Sequence, residues 1–213
     1  MIWESRAFRS RFYRMVWHAT NLILNQALGR RVYGWRQVPP EGPCIIASNH
    51  INLIDPPFLG TAVHREVGFV AKQELFRFLP LRWLITSLNA MPLRRQGGDA
   101  AAVKMIMRRL EQGLAMVMFP EGTRSRTEDF LPPKPGVGMI ARRMLVPVVP
   151  AYIEGTNRKL ADILSGRQCL LVRFGSPVTP ETLARYPDDK DGYQEISRLV
   201  MDRIIRLKAK NED

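Results

Sequence analysis

Five short apolar runs punctuate the chain: CIIAS (44–48), VGFVA (67–71), LAMVMF (114–119), LVPVVPAYI (145–153) and CLLVRF (169–174). Several of them lack polar alternation. A strand with one solvated face alternates apolar and polar side chains, whereas a strand covered on both faces does not. Helix-like stretches separate the runs at 56–64, 73–87, 99–112, 136–144 and 157–164. That order predicts an α/β fold: one domain with a largely parallel or mixed sheet flanked by helices. With 213 residues and no internal repeat, a single core of ordinary size is expected. The closing stretch YQEISRLVMDRIIRLKAK places Ile196, Leu199, Val200, Ile204 and Leu207 at helical spacing, so it reads as a helix docked by one face.

The beginning of the chain has a different pattern. Projected at 100° per residue, Leu22, Met15, Phe8, Ala19, Phe12, Ile23 and Val16 share one arc, opposite Arg11, Arg14, His18, Asn21 and Asn25. Trp3, Trp17 and Tyr13 are side chains that settle at lipid headgroup depth. Arg6, Arg9, Arg11 and Arg14 face only Glu4 as a counter-charge. Residues 1–28 are therefore read as an amphipathic, membrane-associating helix, and 29–213 as the α/β domain. The competing reading is a helix packed on the domain's own core.

Charge narrows the partners. The net charge is +12, and 25 of the 32 basic residues are Arg, the side chain best shaped for forked hydrogen bonding to phosphate. Nucleic acid, an anionic membrane and a phosphorylated small molecule are the partner classes this allows. The charge is spread along the chain and no nucleic-acid-binding motif is visible, so nucleic acid is not expected. Cys44 and Cys169 stand alone, without metal-ligand spacing or a disulfide framework. No metal and no bound cofactor are expected. The most apolar region, 75–93, is interrupted by Arg77 and Arg82, so no spanning helix is expected.

Chemistry concentrates in two loops. In ASNHINLIDPPF (47–58), His50 and Asp55 are five residues apart, a step that would set them on nearly opposite sides of a helix. The two prolines resolve this. Pro56 and Pro57 fit the first turn of a helix, which makes Asp55 an expected N-cap and leaves His50 in the preceding loop, free to meet the carboxylate. One carboxylate oxygen would cap the helix and the other would hold the ring. A histidine so oriented at the carboxyl end of a strand can act as base toward a hydroxyl. A satisfied histidine beside a simple cap is the alternative. The second loop, FPEGTRS (119–125), breaks out of the strand 114–119 and displays Glu121, Gly122, Thr123, Arg124 and Ser125. Its N–H groups, hydroxyls and guanidinium suit an anionic oxygen. Cys44, six residues before His50, is conceivable as a nucleophile but lies within an apolar strand, where free cysteines pack inertly.

These stretches resemble a known family. NHINLID matches the NHx4D box and FPEGTRS the FPEGTR box of the glycerolipid acyltransferases, which include the lysophosphatidate acyltransferases. AMPLRRQGGD resembles their second motif, with Arg95 as its arginine, and VPVVP (146–150) their fourth. FVAKQELFRFLP resembles the stretch that carries a lysine near the acceptor phosphate, here Lys72, and KPGVGMIA (134–141) the helix start after the third motif. The resemblance implies transfer of a fatty acyl group from acyl-CoA or acyl carrier protein, as cosubstrate, to the hydroxyl of lysophosphatidate, giving phosphatidate for phospholipid biosynthesis. His50 and Asp55 would be catalytic. Arg124 would bind the acceptor phosphate, with Lys72 and Arg95 in support, Glu121 orienting Arg124 or the glycerol hydroxyl, and Gly122 and Thr123 completing the loop. The enzyme would work on the cytoplasmic face of a membrane. Glycerol 3-phosphate, a lyso-aminolipid or a glycolipid as acceptor would leave the boxes unchanged. A non-catalytic anionic-lipid binder would not need the histidine–carboxylate pair.

Overall fold

The computed structural model describes residues 11–93, 98–127, 129–165 and 169–209. Helix α1 (Arg11–Leu22) runs into a wider turn at Ile23–Ala27 and is followed by β1 (Arg31–Tyr33). Then come β2 (Cys44–Ser48), α2 (Asp55–Gly60), β3 (Val67–Lys72), α3 (Leu79–Ser87), β4 (Ala90–Leu93), α4 (Gly98–Glu111) and β5 (Ala115–Met118). The chain continues through α5 (Gly136–Met144), β6 (Val148–Glu154), α6 (Leu160–Leu164), β7 (Leu171–Phe174), α7 (Pro180–Leu183) and α8 (Lys190–Ala209).

The strands form one seven-stranded sheet in the order β1-β7-β6-β2-β5-β3-β4. Every pair is parallel except β6 with β7. Five of the seven strands are those expected from the apolar runs. The other two, β1 and β4, are the edge strands, three and four residues long, and neither lies in one of the apolar runs. The expected helix 73–87 is split: a single tight turn at Gln73–Phe76 precedes α3, because Pro80 fits only the first turn of a helix.

The central strands are buried on both faces, which explains their missing polar alternation. Cys44 and Ile46 of β2 enter one core with Phe58, Leu59, Val63 and Val67, and Ile45 and Ala47 enter the other with Leu110, Ile140, Ile196 and Val200. On the second face α5 and α8 touch backbone to side chain: Gly138 N donates to Ser197 Oγ at 3.0 Å. A methyl group on Gly138 would lie 1.9 Å from the carbonyl oxygen of Tyr193.

Helix α1 docks on the first core by the face that carries Tyr13 and Trp17. Trp17 Nε1 donates to the carbonyl of Val63 at 2.7 Å, and Tyr13 Oη accepts from Val67 N at 3.2 Å. Burial pushes the Tyr13 hydroxyl well above its usual pKa, so it stays protonated. Arg30, buried without a carboxylate partner among its contacts, donates to Asn21 and Asn25 on one side and to the carbonyls of Phe58 and Thr61 on the other. Its pKa is pushed down to about 10 by burial. The asparagines assigned from sequence to the face opposite the apolar arc are therefore docking groups, and Met15, Leu22 and Ile23 of the apolar arc point outward, 58%, 62% and 56% exposed.

Candidate active site

Three parallel neighbours, β6, β2 and β5, end on the same side of the sheet, and the loops leaving them converge. His50 leaves β2 and Asp55 opens α2. His50 Nδ1 and Asp55 Oδ2 are 2.8 Å apart, so the five-residue spacing does close into a pair. Asp55 Oδ2 also accepts the N–H groups of Ile51 and Asn52, both at 2.7 Å, and Oδ1 accepts the Thr156 hydroxyl at 2.6 Å.

The expected N-cap role of Asp55 is corrected here. Asp55 is the first helical residue, Ile54 takes the cap position, and no side chain caps this helix. Pro56 and Pro57 carry no N–H, so the first turn offers the carboxylate no donor there. Both oxygens are turned back instead toward the loop, where donors exist. Asp55 is completely buried, while the His50 side chain keeps 16% of its surface accessible. The imidazole stacks on Phe119, with ring centroids 4.0 Å apart at 17°. Nδ1 is committed to the carboxylate, which leaves Nε2 as the ring atom available to a reactant.

The second loop is fastened to the first through the backbone of His50. His50 N donates to Glu121 Oε1 at 3.0 Å, and Ser125 N donates to His50 O at 2.8 Å. Glu121 Oε2 accepts Leu131 N at 3.1 Å. Both Glu121 oxygens thus hold main chain, and neither orients Arg124 as anticipated. Burial raises the Glu121 pKa, and the two N–H bonds oppose that shift. Gly122 has φ +66, a conformation that favours glycine, and a methyl group there would lie 3.0 Å from Cδ of Lys134.

Thr123 and Arg124 are exposed, and Arg124 makes no hydrogen bond or ion pair among the described residues. Lys72 is exposed at the end of β3. Arg95 lies outside the described residues. Sequence reasoning missed Thr156, Asn49 and Lys134. Asn49 ties β2 to β6, donating to Ile153 O at 2.9 Å and accepting Ile153 N at 2.8 Å. Lys134 passes over Gly122, bringing a second cation to the loop of Arg124. Only the KPG turn pointed toward Lys134, and no local signal pointed to Thr156, 101 residues from Asp55. Cys44 begins β2, at the far end from His50 by about 20 Å of extended chain. It is fully buried and burial pushes its thiol up to about 11, so it is a packing residue.

A family model described as Acyltransferase matches residues 29–154, which contain both loops and all of Asp55's partners except Thr156. The chain belongs to the acyltransferase family. It is 26% identical over 199 residues to the 1-acyl-sn-glycerol-3-phosphate acyltransferase of Bacillus subtilis, covering 93% of this chain and 98% of that one. With human 1-acyl-sn-glycerol-3-phosphate acyltransferase beta it shares 28% over 183 residues, 83% of this chain and 66% of that one. The crystal structure of the Thermotoga maritima 1-acyl-sn-glycerophosphate acyltransferase superposes with a TM-score of 0.71 at 25% identity, over 96% of this chain and 86% of that one. This protein is thus an O-acyltransferase. No helix among its described residues is long and apolar enough to cross a membrane.

Proposed function

We propose that this acyltransferase moves a fatty acyl group from an acyl thioester to the free hydroxyl of lysophosphatidate, forming phosphatidate at a membrane surface. The observation that carries the reading is the His50–Asp55 pair, fixed at 2.8 Å in a loop that is bonded through His50's own backbone to the loop of Arg124. His50 Nε2 takes the acceptor's hydroxyl proton while the oxygen attacks the thioester carbonyl. The new C–O bond forms, the C–S bond breaks, and the leaving thiolate recovers the proton from the imidazolium. Asp55 holds the Nδ1–H tautomer and stabilises the positive ring.

Arg124, with Lys134 on the same loop and Lys72 and Arg95 in support, binds the acceptor phosphate. The guanidinium is exposed and unengaged, the state a phosphate-binding fork needs. Coenzyme A and acyl carrier protein both present acidic groups to a protein of net charge +12, and either serves as donor. The outward apolar arc of α1 supports residues 1–28 as an interfacial anchor on the cytoplasmic leaflet.

The test follows free thiol and phosphatidate with purified protein, an acyl thioester and lysophosphatidate. His50→Ala should lower kcat by about 10²–10⁴-fold. A wild type inactive with lysophosphatidate but active with glycerol 3-phosphate or another lysolipid would reassign the acceptor, and full activity in His50→Ala would remove the mechanism.

A further inference from the structure

The apolar arc of α1 does not stand alone. Phe12 meets Trp83 of α3 edge to face, with ring centroids 4.7 Å apart at 60°. Trp83 is 62% exposed, and Phe78 and Leu79 beside it are 66% and 72% exposed. Projected at 100° per residue, Leu79 and Trp83 share one side of α3, and Arg82 and Thr86 follow directly around the helix. The outward faces of α1 and α3 therefore join, through the Phe12–Trp83 contact, into one exposed apolar surface.

A cleft of about 510 Å³ opens along the Arg82 side of α3, beside edge strand β4. Its floor includes Phe76, Met91 and Met105, and Arg77, Arg82 and Arg109 surround it. Arg77 and Arg82 make no hydrogen bond or ion pair among the described residues, and Arg109 donates only to Gln112 Oε1 at 3.2 Å. Three guanidiniums with no carboxylate partner among the described residues, set over apolar side chains, complement an anion that carries a greasy body. Three strand spacings of about 4.8 Å separate β4 from β2, so the cleft lies to the side of the catalytic loops, by roughly 14 Å.

We infer that α3 and α1 together form the bilayer-facing surface and that the Arg77–Arg82–Arg109 cleft holds the phosphate headgroup of an anionic phospholipid that is not the acyl acceptor. Charge complementarity selects an anionic lipid. The adjoining apolar face selects a lipid already in a bilayer over a soluble phosphate, because Phe78, Leu79 and Trp83 can be buried only there. Such a lipid fixes the rotation of the enzyme on the membrane. The inference rests on the reading that the acceptor is taken from a membrane surface.

The experiment compares binding of the full-length protein to vesicles of phosphatidylcholine alone and of phosphatidylcholine mixed with phosphatidylglycerol. Two triple variants are measured: Arg77→Gln/Arg82→Gln/Arg109→Gln in the cleft, and Arg185→Gln/Arg198→Gln/Arg206→Gln on exposed positions of α8 and the turn before it. The cleft variant should lose on the order of 10–100-fold of the preference for anionic vesicles, and the equally charge-reduced control less than about fivefold. Quenching by lipids brominated on the acyl chain should be weaker in Trp83→Phe than in wild type. Equal losses in the two triples, or no change in quenching, overturn the inference. So does a cleft variant that keeps its anionic preference but needs more acyl-CoA, which would make the cleft a donor site, or more lysophosphatidate, which would make it the acceptor site. Inactivity of the wild type on lysophosphatidate, with anionic preference intact and lost in the cleft variant, would remove the proposed acceptor and leave this inference supported.

Discussion

Asp55 shows how much one side chain can determine. It orients His50, closes the loop through Ile51 and Asn52, and reaches the turn after β6 through Thr156. Replacing Thr156 by valine keeps the shape and removes one bond to a buried carboxylate. That change should cost about 1.5–3 kcal/mol in urea unfolding and lower kcat while KM for the thioester holds. Glu121 makes a second prediction, of pH dependence. Its folded pKa is raised by burial. As pH rises through the usual carboxylate range the unfolded chain releases this proton first, so the residue's contribution to stability falls until pH exceeds the folded pKa. Glu121→Gln should therefore gain stability relative to wild type as pH rises through the usual carboxylate range, read as a narrowing gap in Tm. A gap that widens with pH would contradict the buried, proton-retaining carboxylate.

At the scale of elements, α1 and α2 are joined by Arg30. The guanidinium sits over carbonyls at the carboxyl end of α2, where a helix dipole favours a cation, and its other edge binds the asparagines at the end of α1. Arg30→Met should destabilise the fold by about 2–4 kcal/mol, because carbonyl and amide oxygens lose a charged donor. The Trp17 indole should then move toward solvent, seen as a red shift in emission. Unchanged emission with full loss of stability would place the effect in α2 alone. The sequence pattern identified α1 as amphipathic but gave no sign that Tyr13 and Trp17 would dock it on the domain. The docked face is aromatic and polar, because the Trp17 indole and Tyr13 phenol find backbone partners on the domain and the Asn21 and Asn25 amides accept from Arg30, bonds that aliphatic side chains cannot make.

For the whole molecule, the charge and the exposed apolar surface act together. With a net charge of +12 and outward-facing aliphatic and aromatic side chains on α1 and α3, attachment to anionic vesicles should weaken as salt rises and level off at a residual apolar binding. Complete release by salt in a sedimentation assay would leave the apolar face without a role in attachment. The sheet order also places the site. β2 lies between β5 and β6, so their three loops meet, whereas β3, which carries Lys72, lies beyond β5. That order makes Arg124 a nearer neighbour of His50 than Lys72 is, although Lys72 is much closer in sequence.

The sequence by itself determined the layered α/β class, the strands that are covered on both faces, and the two loops that carry the chemistry. Each of these depends on local causes: side-chain period, proline stereochemistry and the chemical type of a few residues. Tertiary structure alone decided that His50 N–H would be held by a carboxylate 71 residues away and that Asp55 would be held by a threonine 101 residues away. It also decided which face of α1 is covered and that Trp83 extends the exposed one. Those contacts follow from strand order and register, which are set by packing all the elements at once, and no window along the chain contains that information.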